Sequence, residues 1–280
     1  MFPAQWLEVF RSLSKTNPAS FSRERSRYLS SGKSGVVNWV DDERVWKQYL
    51  INPEQAAVEH RAYQRIGSHP NVVKLLAVLE DGSIVLERGK VLRGVCRYPS
   101  ANEISLQRKL RWLTQAATGY QHLHDCNIIH ADVGCHNMII TNEDNLKLID
   151  FEGCSIDGGQ NDACYEWFSY KRSVPEVTRK TDIFAFGCAF YEVMTGLQPY
   201  HELRNSAPGT NQVQLLYADN SFPDVTFVPL GRLILRCWRG DFDSMNEVIQ
   251  ELEAFRPDPV TRNKMSRADL EPDRIWGLRK

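Results

Sequence analysis

The sequence has no apolar run near the roughly 18 residues that a membrane-spanning helix needs, which excludes a helical transmembrane protein. It has almost no net charge: 34 Lys and Arg stand against 35 Asp and Glu, leaving −1 over 280 residues. That balance gives no general attraction to nucleic acid or to a membrane surface, so no partner of either kind is expected and any polyanion must be bound locally. There is no N-x-[ST] sequon, and Met1 to Phe10 lacks a basic segment followed by an apolar one, so no secretory signal is expected. The seven cysteines are odd in number and show no paired spacing. They lead to the expectation of a reducing, intracellular, cytoplasmic setting with free thiols. No internal repeat and no low-complexity tract is present. What is there is ordinary: 42% hydrophobic and 25% charged residues describe a globular chain, one large domain or two small lobes.

The Ser- and Arg-rich start, with Ser20, Ser22, Arg23, Arg25, Ser26 and Arg27, reads as a loosely held arm to about residue 30. Arg256 to Lys280, with Pro257 and Pro259, reads as a tail. Between them the signals change halfway. β-type runs at Gly35–Val40, Arg44–Tyr49, Val72–Val78 and Ile84–Glu87 surround one helix. Asn52 suits its N-cap, Pro53 its first position, Glu54 its dipole and Gly67 its stop. The second half is mainly helical. Leu106, Leu110, Leu113, Ala117 and Tyr120 recur at spacings of three and four, one buried stripe. Thr181–Thr195 is apolar on nearly every face, a fully packed helix closed by Gly196. Between these helices, Met138–Thr141 and Leu146–Ile149 flank Asn-Glu-Asp-Asn, a hairpin with a four-residue turn. A small β lobe followed by a larger helical lobe, an α+β chain, is the reading.

The hairpin is the most informative stretch. It returns the chain to its starting place, so Asn137 before its first strand and Asp150 after its second lie close together. An amide oxygen and a carboxylate converging there suit Mg²⁺, with phosphate oxygens completing the shell. Asp132, on the loop that feeds the hairpin, is placed to accept a proton from a hydroxyl nucleophile. Asp and Asn at hairpin ends are also ordinary turn formers; three of them at these spacings, beside His130 and inside apolar flanks, weaken that reading.

At this point the residues resemble a family. His130-Ala131-Asp132 followed four residues later by Asn137 resembles the catalytic loop H-R-D-x-x-x-x-N of eukaryotic-type protein kinases, and Asp150-Phe151-Glu152 resembles their D-F-G. Ser30-Ser31-Gly32-Lys33-Ser34-Gly35-Val36-Val37 resembles the glycine-rich G-x-G-x-x-G-x-V, and Val45-Trp46-Lys47 resembles V-A-I-K. Glu59 follows on the single helix of the β lobe. Ser173-Val174-Pro175-Glu176 resembles A-P-E, and Thr181–Gly187 resembles S-D-V-W-S-F-G. Leu235-Arg236-Cys237-Trp238 resembles the Cys-Trp of a later helix.

The resemblance implies a bilobal kinase-like fold over 28–255, with an N-lobe at 28–87 and a C-lobe at 88–255, an arm at 1–27 and a tail at 256–280. It implies ATP and Mg²⁺ as cofactors, a protein substrate, and transfer to Ser or Thr. Gly32, Gly35 and Lys47 would hold phosphates, with Glu59 fixing Lys47. Leu86, Glu87, Arg88 and Gly89 would form the adenine hinge, with Val37, Val45 and Ile139 around the base. Asn137 and Asp150 would hold the metal, and Asp132 would position the acceptor. Glu176 and Asp182 would be structural supports, and Cys154–Arg172 the activation segment.

Some positions depart from the pattern. Ala131 replaces the Arg that pairs with a phosphorylated activation loop. Gly134 stands where many Ser/Thr kinases place a Lys, and Glu152 replaces the glycine of D-F-G, although Gly153 follows. His136 is a candidate substitute cation, as an Arg there is in tyrosine kinases. Two alternatives stay open. One is a pseudokinase, an ATP-binding or scaffolding module. The other is a small-molecule kinase of the aminoglycoside or choline type, which shares H-x-D-x-x-x-x-N and I-D-x-E but lacks A-P-E. A metal site among Cys126, His130, Cys135, His136 and Cys154 finds no C-x-x-C or H-x-x-x-H spacing to support it.

Overall fold

The structure, a computed structural model, describes residues 26–32, 35–50, 53–171, 176–205 and 209–256. Residues 1–25 of the expected arm, Asn52, Lys33 and Ser34 of the glycine-rich stretch, Ser173 to Pro175, and the tail from Pro257 lie outside the described residues.

The N-terminal half is an antiparallel sheet of five strands. They are β1 (Arg27–Ser31), β2 (Gly35–Trp39), β3 (Arg44–Tyr49), β4 (Leu75–Val78) and β5 (Ile84–Glu87), in the spatial order β1-β2-β3-β5-β4. β1 stands where the sequence reads an arm to residue 30. Its five residues are all exposed, so no apolar alternation announces it. Its backbone pairing to β2 makes it an edge strand. The expected strand at Val72–Val78 begins only at Leu75. Val73 donates instead to the Leu148 carbonyl at 3.0 Å, and Leu148 donates to Asn71 at 2.9 Å, stitching this segment to the helical lobe. In central β3, Val45, Trp46 and Lys47 are buried in succession, so both faces of that strand are covered. Gly35 is required by packing: a Cβ there would meet the Gln48 carbonyl oxygen at 2.0 Å. Helix α1 (Pro53–Ile66) lies against the sheet, with Glu59, Ala62, Tyr63 and Ile66 buried, and stops at Gly67, whose φ is +64°.

Beyond the connection at Glu87–Gly89, β6 (Lys90–Val91) pairs with β8 (Met138–Ile140), which pairs with β9 (Leu146–Leu148). The short helix α2 (Leu92–Val95) leads to α3 (Leu106–Asp125), capped by Ser105, whose hydroxyl accepts from Arg108 N–H. The buried stripe of α3 runs through Lys109, Trp112, Leu113, Ala116, Ala117 and Tyr120. Leu106 and Leu110, expected in it, are only half-buried. The difference is Lys109, whose buried ammonium donates to the Met194 carbonyl at 2.9 Å, a contact that hydropathy cannot register. Short β7 (Ile128–Ile129) pairs with β10 (Ser155–Ile156).

Helix α4 (Arg179–Thr195) is the centre of this lobe. Every residue from Thr181 to Met194 is buried, and Gly196 closes the helix at φ +76°. Helices α5 (Gly209–Ala218), α6 (Gly231–Arg239) and α7 (Met245–Ala254) complete it. No helix among the described residues is long and apolar enough to cross a membrane.

The α4–α6 contact is close because Gly187 has no side chain. A Cβ there would sit 2.7 Å from Cys237 Cβ and 3.1 Å from the Trp238 indole. Over-packing of this kind costs about 1–3 kcal/mol. Gly187→Ala should therefore lower the thermal midpoint by roughly 2–10 °C at this chain length, read by circular dichroism.

Candidate active site

The hairpin brings its acidic ends together as the spacing requires. Met138 pairs with Leu148 across it, and Ile149 N–H donates to the Asn137 carbonyl at 3.1 Å, which sets Asp150 beside Asn137. The Asn137 amide nitrogen donates to both the carbonyl and the carboxylate Oδ2 of Asp132, at 2.9 and 2.8 Å. That leaves the amide oxygen as the group available to a cation. Asn137 oxygen and the Asp150 carboxylate are hard donors of the kind Mg²⁺ takes.

Lys47 meets three carboxylates. Its ammonium lies 2.7 Å from Glu59, 2.6 Å from Asp150 and 3.0 Å from Glu152. Glu59 also accepts from the Tyr49 hydroxyl at 2.6 Å, a partner on the same strand as Lys47 that no motif announces. Burial works to neutralise Lys47, but Asp150, Glu59 and Glu152 outweigh it and hold its pKa well above the usual lysine range. Burial likewise favours the neutral form of Asp150, and Lys47 overrides it, keeping that carboxyl below its usual range. Glu59, Asp150 and Glu152 are the one group of three acidic, His or Cys side chains among the described residues close enough to share an ion. The Cys and His residues weighed as a metal set form no such group.

Asp182 is the buried support expected of it. Its carboxylate accepts from the backbone N–H of His130 at 2.9 Å and of Ala131 at 3.1 Å, from His124 Nε2 at 3.0 Å and from the Tyr165 hydroxyl at 2.8 Å. Burial would raise its pKa; the His124 hydrogen bond and nearby charges lower it. These bonds hold Ala131 at φ +64°, and Asp150 stands at φ +69°. Both are conformations that L-residues adopt only under restraint, which clusters them at working sites. Above Asp182, the rings of His130, Phe151 and Tyr63 stack edge to face, with centroids 5.5 and 5.2 Å apart. Glu176, also expected as a support, is exposed, and no ion pair reaches it among the described residues.

The other expected nucleotide residues share one neighbourhood. Val37 is the cross-strand partner of Lys47, and Val45 of Leu86, while Ile139 lies on β8. Gly32 has open space around it, and its N–H donates to Gly35 at 2.9 Å. At the lobe connection, a Cβ on Gly89 would lie 2.8 Å from the Ile140 carbonyl. Side chains of the two residues before it turn elsewhere: Glu87 accepts from buried Lys147 at 2.6 Å, and Arg88 reaches toward Asp42 at 3.4 Å. Their N–H groups are engaged as well, Glu87 donating to the Lys74 carbonyl at 3.1 Å and Arg88 to that of Glu43 at 2.8 Å, which leaves their carbonyls and the Gly89 backbone for an adenine edge.

Sequence reading misses Arg93. Its guanidinium pairs with Glu192 of α4 at 2.6 Å and with Glu166 of the activation segment at 2.5 Å. Glu166 also lies 3.2 Å from His136 Nδ1, and His136 Nε2 donates to Asp132 at 3.2 Å. Burial would raise the Glu166 pKa, but His136 and Arg93 override it and bring it down to about 2 from the ordinary 4.5. A carboxyl held below its unfolded value stabilises fully above that value and loses the effect as pH falls through the folded one. The gap in thermal midpoint between wild type and Glu166→Gln should therefore be widest near neutral pH and shrink steadily below about pH 4.5, measured by melts across pH.

With this geometry in place, the comparisons agree. A family described as protein tyrosine and serine/threonine kinase matches residues 48–252. The chain is 27% identical over 272 residues to the probable serine/threonine-protein kinase SIS8 of Arabidopsis thaliana, across 87% of this chain and 26% of that protein. It is 24% identical to the serine/threonine/tyrosine-protein kinase HT1 of the same plant, across 66% and 52%. It is 26% identical to the mitogen-activated protein kinase kinase kinase dlk-1 of Caenorhabditis elegans, across 82% and 26%. The chain thus spans about a quarter to a half of the length of these relatives. The match covers well over half of the residues, and the chain belongs to the eukaryotic-type protein kinase family.

Proposed function

We propose that this chain transfers the γ-phosphoryl group of ATP to a hydroxyl of a protein, with Ser or Thr as the acceptor. The observation that carries the reading is the linked cluster of Lys47, Glu59, Asp132, Asn137 and Asp150, with the Lys47–Glu59 pair closed at 2.7 Å. The name of one relative, a probable serine/threonine-protein kinase, supports Ser or Thr, while that of another includes Tyr.

In this scheme Lys47, oriented by Glu59, binds phosphate oxygens of ATP. Val37, Val45, Leu86 and Ile139 offer apolar cover to the base, and the backbone at Glu87–Gly89 its polar edge. Mg²⁺, held by Asn137 and Asp150, supplies neutralisation of phosphate charge when bound. Asp132 accepts the hydroxyl proton as the acceptor oxygen bonds to the γ-phosphorus and the bond to the β,γ-bridging oxygen breaks, releasing ADP. Asp132 is oriented for this by the Asn137 amide at 2.8 Å.

Asp132→Asn should lower transfer of radiolabel from Mg-ATP to a mixed casein and histone acceptor by about 10²–10³-fold, with ATP binding retained. If wild type transfers no more label than Asp132→Asn, the enzyme reading is wrong, and nucleotide binding alone would then select an interaction module. Glu152 yields a second expectation. It competes with phosphate for Lys47 at 3.0 Å. Removing a pair worth about 1 kcal/mol in Glu152→Gly should tighten Mg-free ATP binding roughly 3–5-fold, measured by calorimetry.

A further inference from the structure

Five charged side chains run in a line from helix α4 to the acceptor site: Glu192, Arg93, Glu166, His136 and Asp132. Arg93 is forked between two carboxylates. It meets Glu192 at 2.6 and 3.0 Å and Glu166 at 2.8 and 2.5 Å. Glu166 is thereby fixed to the core of the lobe through buried Glu192, although it belongs to the activation segment. His136 spans the remaining gap, one ring nitrogen 3.2 Å from Glu166 and the other 3.2 Å from Asp132 Oδ1. Both ring nitrogens face carboxylates, Nε2 within hydrogen-bond distance of Asp132 and Nδ1 in charge contact with Glu166. Asp132 is then held at both oxygens, Oδ1 by His136 and Oδ2 by Asn137.

Gly134 makes the arrangement possible. A Cβ there would lie 2.6 Å from both Cε1 and Nδ1 of His136 and 3.3 Å from Glu166 Oε2. Its φ of −178° is ordinary extended backbone, so glycine provides room here rather than a special conformation. Any side chain at 134 displaces the imidazole, the carboxylate or both. The activation segment is further held to the catalytic loop where Cys164 N–H donates to the Ala131 carbonyl at 3.1 Å.

We propose that His136 and Glu166 form a built-in bridge that positions the Asp132 carboxylate and registers the activation segment to the acceptor site, in the space that Gly134 leaves. The segment is then ordered by a carboxylate of its own and needs no added phosphate at Ala131. His136 and Glu166 are positioning residues, acting through Asp132. The inference rests on the kinase reading above, and its test separates the two.

The full chain is compared with His136→Ala, Glu166→Gln, Gly134→Ala and the His136→Ala/Glu166→Gln double variant. Two readouts are taken: steady-state transfer from Mg-ATP to mixed casein and histone, and hydrogen–deuterium exchange of residues 130–137 and 154–171 without nucleotide. Each single variant should lower kcat about 10–100-fold, the cost of a small misplacement of a reacting group, with KM for ATP moved by no more than about twofold. The double variant should be no worse than the poorer single one, because both break the same bridge. Gly134→Ala should match them although it removes no charge. Exchange at 130–137 should quicken in all four. Multiplicative losses, a loss carried by KM, or unchanged exchange overturns the bridge. Should wild type transfer no more than Asp132→Asn, the kinase reading fails, and exchange still decides: quickening in both Gly134→Ala and Glu166→Gln upholds the bridge, and its absence ends it.

Discussion

A carboxylate taken wholly out of water is stable only if its lone pairs are met, and Asp182 is such a group. Its four donors come from three parts of the chain: two backbone amides of the catalytic loop, a histidine of α3 and a tyrosine of the activation segment. Removing one partner of a buried charged network typically costs about 3–5 kcal/mol, so the donors are as constrained as the acceptor. Because α4 is packed on every face, Asp182 cannot move to follow them. The loop must come to the helix. That fixes the left-handed turn at Ala131, and with it the direction in which Asp132 leaves the loop.

The second constraint is electrostatic. One ammonium among three carboxylates leaves a site with excess negative charge, which by itself would repel a nucleotide. The same excess suits a divalent cation. Lys47 sits on a strand covered on both faces, where its charge is tolerated only because acidic partners surround it. Glu152 adds to that negative excess where a glycine would add nothing, and it links the residue after Phe151 directly to the N-lobe sheet.

Much of this was legible in the residues. The hairpin forced Asn137 and Asp150 together, since strand pairing is local and its turn was explicit. The uniform hydrophobicity of Thr181–Thr195 announced a buried helix, and Gly67 and Gly196 marked helix ends through their positive φ. Strand β1 was not legible, because its pairing is made by backbone alone and its side chains are exposed. Lys109 was missed because a long side chain can bury its stem and still reach an acceptor. The roles of Arg93 and Glu166 depend on contacts 73 residues apart in sequence, which no periodicity carries. Glu176, read from the motif as a structural support, is exposed and makes no ion pair among the described residues.

Ala131 carries one more consequence. It is fully buried, with its carbonyl occupied by Cys164 and its amide by Asp182. The arginine of the family pattern is absent from a position whose small side chain has no exposure at all. A longer side chain at so enclosed a position would require neighbouring groups to move.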